Sequence, residues 1–295
     1  MYLQDDSLNQ DGIGEKEILV VSFGTSFNES RMKDIKGIED AFSEAFPEWD
    51  IRRAFTSQMI IDHLKKRDGE EIDHISDALK RAKRNGVRKL VIQPTHLMQG
   101  QEYDKIIYYV RKYQEDFESV KVAEPLLGTV GDDETTCNED KKQVCAIAVE
   151  TLLKEAGFLT AEEAAKDGTA FVFLGHGTYH NAKVSYTQVQ EQMKQFGFSN
   201  VFIGTVEGNP ADTACEKVLE KVIEAGYKKV IFRPLMVVAG DHANNDMAGE
   251  EDSWLSTFKQ SGAFIKLDTQ IKGLGGIHKI QQLYIEHTKK ILKNI

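Results

Sequence analysis

The sequence predicts an α/β protein built from two similar doubly wound parallel-sheet domains, related by an internal repeat and facing across a cleft. Three observations carry this expectation. Eight short apolar runs are continuous rather than alternating, the mark of strands buried on both faces of a parallel sheet. Amphipathic segments separate the runs, and strand–helix alternation argues a doubly wound arrangement. A nine-residue segment also returns 140 positions later.

In the first half the runs are Ile18–Phe23, Ile51–Phe55, Leu90–Ile92 and Val120–Ala123. In the second they are Ala170–Leu174, Val201–Gly204, Val230–Phe232 and Phe264–Leu267. Each is rich in β-branched or aromatic residues, which suits a strand. Between runs, Ile72–Arg84 places Ile72, Ile75 and Leu79 on one stripe at helical spacing. Ala211–Ala225 does the same with Ala214, Val218 and Val222. The repeat aligns Gly86-Val87-Arg88-Lys89-Leu90-Val91-Ile92-Gln93-Pro94 with Gly226-Tyr227-Lys228-Lys229-Val230-Ile231-Phe232-Arg233-Pro234. Gly100 and Gly240 each follow the repeated proline by six residues, and the first strand of each half ends in a Gly-Thr step, Gly24-Thr25 and Gly177-Thr178. Such self-similarity marks a duplicated unit. The seam is expected near Gly128–Asn138, giving domains 1–130 and 131–295.

Composition narrows the function classes. A chain of 295 residues has room for about two domains. Its 41% hydrophobic and 28% charged residues are those of an ordinary globular protein. A formal net charge of −10 argues against binding a nucleic-acid backbone. No apolar run reaches the roughly 18 residues of a membrane helix. The polar, acidic start lacks the basic-then-apolar pattern of an export signal, so a cytoplasmic protein is expected. Cys137, Cys145 and Cys215 are odd in number and form no C-x-x-C pair, which fits free thiols in a reducing compartment.

Ligands of open α/β sheets bind beyond the carboxyl ends of the strands. In the second half those positions carry His176, Glu207 and His242, with Asp241, Asn244 and Asn245 beside the last. Each singly has a structural reading: a turn histidine between two glycines, a helix-start carboxylate, a loop histidine. Together they are two imidazoles and a carboxylate at three successive strand ends. That donor set suits a borderline divalent metal such as Co, Ni, Fe or Zn, and three protein ligands leave coordination positions open. His180 is a weaker additional candidate because Gly177 interrupts any helical pairing with His176. His63, His74, His278 and His287 fall in helix-like segments and are expected to be solvated. In the first half the matching turns supply Phe23, then Thr56 or Ser57, then Gln101 or Glu102. Ser22-Phe23-Gly24-Thr25-Ser26 before a helix could offer amides to an anion, or be a plain strand-to-helix turn with a hydroxyl cap.

The segments Val21–Ser26, Gln93–Gly100, Gly175–Gly177, Thr205–Gly208 and Ala239–Gly249 together resemble the anaerobic-type sirohydrochlorin cobaltochelatase family. The resemblance runs in order from about residue 17 to the end; the last segment is long and distinctive. It implies a fold similar to that of protoporphyrin ferrochelatases and insertion of Co²⁺ into sirohydrochlorin on the early-cobalt route to cobalamin. It also implies that His176, Glu207 and His242 bind the metal and that His176 accepts a proton. Co²⁺ is then the substrate metal, with Fe²⁺ or Ni²⁺ as further metals accepted in vitro.

A chelatase must hold a metal loosely, take up two pyrrole protons and pass the metal on. Neutral imidazole, with a reference pKa of about 6.5, suits both tasks. The eight carboxylates of sirohydrochlorin need positive groups or backbone donors. Ser22, Thr25 and Ser26, with Arg52 or Arg53, are the candidates, while His96 and Met98 are expected to contact the macrocycle rather than the metal. The partner is thus a small tetrapyrrole, with no nucleic acid and no membrane, and a homo-oligomer is left open. Three other readings stay in play: iron insertion toward sirohaem, a tetrapyrrole- or metal-binding protein without turnover, and a two-lobed ligand-binding module with structural histidines.

Overall fold

The computed structural model describes residues 6–131 and 133–293. Each apolar run forms a strand: β1 (Lys16–Ser22), β2 (Asp50–Phe55), β3 (Lys89–Pro94), β4 (Ser119–Val122), β5 (Thr169–Gly175), β6 (Val201–Thr205), β7 (Lys229–Pro234) and β8 (Lys266–Thr269). They make two four-stranded sheets of the same order, β2-β1-β3-β4 and β6-β5-β7-β8, with all pairings parallel. The repeated segment occupies the same register in both. Pro94 pairs with Val21, and Pro234 pairs with Leu174.

The central strands of each sheet are buried on both faces, as Ile18, Leu19, Val20 and Val21 show in β1. On one face of the first sheet, Leu19, Val21, Leu90 and Ile92 pack against Ile75, Leu79 and Ala82 of the Ile75–Asn85 helix and Ile106 and Val110 of the Gln101–Tyr113 helix. In the second, Val172, Leu174, Val230 and Phe232 pack against Val218 and Val222 of the Cys215–Glu224 helix and Trp254 and Phe258 of the Trp254–Gln260 helix. Double coverage is why the central strands carry continuous apolar runs; β5 is buried throughout.

The chain divides into two compact units: Met1–Leu126 together with His278–Ile295, and Leu127–Ile277. The expected boundary at 130/131 lies four residues past the observed one. The expected second domain 131–295 needs correction, because the His278–Leu292 helix belongs to the first unit. The Tyr284 hydroxyl donates to the carbonyls of Thr95 (3.0 Å) and His96 (3.2 Å), and Thr288 Oγ1 donates to Gln93 Oε1 at 2.8 Å. Buried Ile280, Leu283 and Ile285 supply the apolar contact. An amphipathic stripe announces a buried face but not which sheet it covers. His287, expected to be solvated, is buried in this packing, its Nδ1 3.1 Å from the Glu124 carbonyl oxygen.

Arg52 and Arg53 are not available to a bound carboxylate; both are fully buried in ion pairs. Arg53 grips Glu39 with two bonds, Nε to Oε1 at 2.7 Å and Nη2 to Oε2 at 2.5 Å, and its Nη1 donates to the Asp6 carbonyl. Arg52 is shared between Glu17 (3.3 Å) and Asp73 (3.2 Å). Burial pushes Glu17 up from its ordinary 4.5 to about 7 against the pull of Arg52, and Glu17 Oε1 is left without a partner. The folded state therefore holds this proton more tightly than the unfolded chain. The contribution is fully present below about pH 4.5 and is lost as pH rises through about 7. Glu17→Gln should lose less unfolding free energy than wild type between pH 5 and pH 8 in urea titrations. Parallel stability profiles for the two proteins would refute this account of Glu17.

Candidate active site

The second unit assembles its candidate residues at the carboxyl end of its sheet. After β5 the chain turns at Gly177, whose φ is +88°, a conformation favoured in glycine. A Cβ at Gly177 would also lie 2.8 Å from Glu207 Cβ. The buried Tyr186 braces this turn: its hydroxyl accepts from the Gly177 amide at 3.1 Å, and its ring fills the space beside Gly175 where a Cβ would go. His176 is left exposed at the sheet rim. The backbone of the next strand end is stitched to it, the Glu207 amide donating to the His176 carbonyl at 2.9 Å. Glu207 is likewise exposed.

The third strand end brings His242. It caps a short π-helical turn, Ala243–Met247, whose loop is held by Asn244 Nδ2 donating to the Gly240 carbonyl (2.7 Å) and Asn245 Nδ2 donating to Asp241 Oδ1 (2.7 Å). Such widened turns are frequent at functional sites. The His176 and His242 rings meet edge to face, centroids 4.3 Å apart at 88°. Residues 66 positions apart in sequence thus form one imidazole pair. Among the described residues, no three His, Cys, Asp or Glu side chains close around a common point as they stand. The histidine pair is preassembled, and the Glu207 side chain stands outside it.

Hydrogen-bond partners decide which ring nitrogens are free. His176 Nδ1 is 2.8 Å from the Gly177 carbonyl oxygen, which can only accept, so a neutral ring carries its proton on Nδ1. His242 Nδ1 is 2.7 Å from Asp246 Oδ2, and the same reasoning puts a proton there. Both imidazoles therefore present an Nε2 lone pair. An Nε2 atom free of internal bonds is what a divalent metal or a departing proton requires.

The first unit shows what the same architecture does without histidines. Ser57 N–H donates to the Phe23 carbonyl as Glu207 N–H does to that of His176, so Phe23 and Ser57 hold the equivalent places. Gly24 repeats the left-handed turn with φ +100°. Gly100 and Gly240 make the same amide contact, to the Met98 and Val238 carbonyls, which makes Glu102 the counterpart of His242 in the repeat.

Of the residues expected to bind substrate here, Ser22 and Thr25 are buried. Ser22 Oγ lies 2.6 Å from Thr95 Oγ1, and Thr25 Oγ1 accepts from the Phe27 amide at 3.2 Å. Their hydroxyls serve the turn, in contrast to the expected carboxylate binding. Ser26 is half-buried and Met98 largely buried. Both ring nitrogens of His96 are enclosed and find no hydrogen-bond partner, and burial lowers its pKa to about 4. His96 is thus a neutral imidazole with unused hydrogen-bonding capacity. His180 instead caps a turn, its Nδ1 accepting from the Ala182 amide at 3.1 Å.

Two further residues, Tyr186 and Asp246, support this rim. Tyr186 looks like any core aromatic of a helix. Asp246 lies in a motif already noted, four residues after His242, and that spacing was the available signal.

The chain matches the cobalt chelatase (CbiK) family over residues 16–293. The sirohydrochlorin cobaltochelatase of Salmonella typhimurium is 32% identical over 279 residues, spanning 94% of this chain and 97% of the relative. The sirohydrochlorin cobaltochelatase CbiKC of Nitratidesulfovibrio vulgaris is 27% identical over 278 residues, spanning 92% and 89%. Among solved structures, SirB from Bacillus subtilis with Fe³⁺ shares the fold with a TM-score of 0.63 at 13% identity, covering 95% of this chain and 97% of its own. No helix among the described residues is long and apolar enough to cross a membrane. The Cys137, Cys145 and Cys215 thiols are free. With two parallel sheets of one repeated topology, paired imidazoles at a strand-end rim and a family match spanning nearly the whole sequence, this chain is a metal chelatase belonging to the cobalt chelatase (CbiK) family.

Proposed function

We propose that the chain inserts Co²⁺ into sirohydrochlorin in the early-cobalt, anaerobic route to cobalamin. His176, Glu207 and His242 hold the metal, and His176 also accepts a proton. The observation that supports this most is the preassembled imidazole pair with both Nε2 atoms unoccupied by internal bonds. Insertion replaces two pyrrole N–H protons by one Co²⁺, so the site must give up a dication and receive protons. An imidazole Nε2 that has released the metal is at once a free base for one of those protons. Glu207, exposed on a turn anchored to His176, is the movable third ligand. Mixed nitrogen and oxygen coordination with open positions keeps the metal transferable.

The first unit offers an aromatic ring and a hydroxyl at the places of His176 and Glu207, and neither holds a transition metal well. One metal per chain follows, carried by the second unit. His96, Met98 and Ser26 are assigned to the tetrapyrrole.

Calorimetry with Co²⁺ should give one ion per chain. Glu207→Ala and His242→Ala should each weaken binding about 10- to 100-fold, by analogy with the cost of disturbing a metal site's support. His96→Ala should bind Co²⁺ normally and raise the KM for the macrocycle. Two ions per chain, or loss of Co²⁺ binding in His96→Ala, would overturn this assignment. An anaerobic absorbance assay with sirohydrochlorin and either Co²⁺ or Fe²⁺ tests the reaction itself. Preference for Fe²⁺ would redirect the chain to sirohaem synthesis, and no insertion of either metal would leave a carrier.

A further inference from the structure

We infer that Asp246 is a positioning residue for His242: it fixes the Nδ1–H tautomer, holds the ring against His176, and strengthens Nε2 as a donor. The inference rests on the reading of His242 as a metal ligand and adds a residue that reading does not contain.

The two imidazoles at the rim are supported differently. His176 leans on a backbone carbonyl, that of Gly177 at 2.8 Å. This support is neutral and is built by the Gly177 turn itself. His242 leans on a carboxylate, Asp246 Oδ2 at 2.7 Å. A carboxylate accepting from Nδ1–H polarises the ring and makes the opposite nitrogen a better electron-pair donor, and ligating histidines commonly have such a partner.

The neighbouring groups leave this pairing unopposed. Asn244 spends its side-chain amide on the Gly240 carbonyl, and Asn245 spends its own on Asp241. No basic residue occurs between His242 and Glu251. The spacing of four residues across the π-helical turn Ala243–Met247 brings the two side chains together. Both are partly exposed, 38% for His242 and 41% for Asp246. The contact is therefore not forced by core packing. A solvated Asp–His pair contributes little to folding, so the pair's main consequence is the orientation of the ring.

The test compares wild type, Asp246→Ala, Asp246→Asn and His242→Ala, each first shown to keep the wild-type circular dichroism and urea midpoint. Two quantities are read: Co²⁺ affinity by calorimetry, and the His242 ring ¹⁵N shifts by NMR in metal-free protein. Asp246→Ala should weaken Co²⁺ about 10- to 100-fold and lose the predominance of the Nδ1–H form. Asp246→Asn retains an acceptor oxygen without the charge, so it should keep most of the tautomer and lose less affinity than the alanine variant. If Asp246→Ala fails to fold, the asparagine variant carries the test alone. Wild-type affinity and unchanged ¹⁵N shifts in the Asp246 variants, with His242→Ala impaired, would overturn the positioning role while sparing the ligand assignment. Wild-type affinity in His242→Ala would overturn the ligand assignment, and the role of Asp246 with it.

Discussion

His176→Ala is expected to abolish metal insertion while leaving the protein folded. Under the proposed function the variant loses a metal ligand and the proton acceptor together. Removing a general base alone typically costs about 10²- to 10⁴-fold, so a fall of at least about 10³-fold is expected in the anaerobic assay. The fold should tolerate the change. His176 is exposed; its side chain bonds the adjacent Gly177 carbonyl and meets the His242 ring, while the turn is held by Gly177 and Tyr186. Surface substitutions of this kind usually stay within about 0.5 kcal/mol. The urea midpoint should therefore match that of wild type. A folded His176→Ala protein with more than a tenth of wild-type turnover would remove His176 from the mechanism.

The largest effect on stability is expected at Arg53. Arg53→Met keeps much of the side-chain volume but removes the two bonds that Arg53 makes to both oxygens of the Glu39 carboxylate, which is 1% exposed. Breaking a buried pair by removing one partner costs about 3–5 kcal/mol, because an uncompensated charge remains inside. Replacing both members by apolar residues of similar volume is often close to neutral. The double variant Arg53→Met/Glu39→Met should therefore recover most of the loss. Urea unfolding of the single and double variants measures this directly. A single variant within 1 kcal/mol of wild type would mean that Glu39 finds water or another partner. The same experiment separates a structural arginine from a substrate-binding one, since the restored double variant should still insert metal.

Sequence and structure agree most closely where local chemistry is sufficient. Eight continuous apolar runs read as strands of parallel sheets, and all eight form such strands, although the edge strands β4 and β8 are only partly buried. The nine-residue repeat foretold two sheets of one topology, because equal sequence in equal register makes equal pairings. Strand ends on one edge of a parallel sheet share one rim, whatever their separation in sequence; of the three residues expected there, the His176 and His242 rings meet and the Glu207 side chain stands apart.

What the sequence left undecided depends on distances between side chains. Arg52 and Arg53 read as free cations beside a strand end, but their partners Glu17, Glu39 and Asp73 come from other elements. The Ser22 hydroxyl looked available until Thr95, 73 residues away, occupied it. Position in the chain puts residues 278–292 with the second half, whereas the hydrogen bonds of the His278–Leu292 helix to β3 and the turn after it tie it to the first unit. The contact of the Asp246 carboxylate with His242 Nδ1 depends on the fold of the turn between them. Hydrophobic periodicity and glycine placement act through the local backbone, so this sequence determined its strands and its repeat by itself. Burial of charge, choice of tautomer and ownership of a helix depend on partners brought together from distant parts of the chain, and only the tertiary structure could decide them.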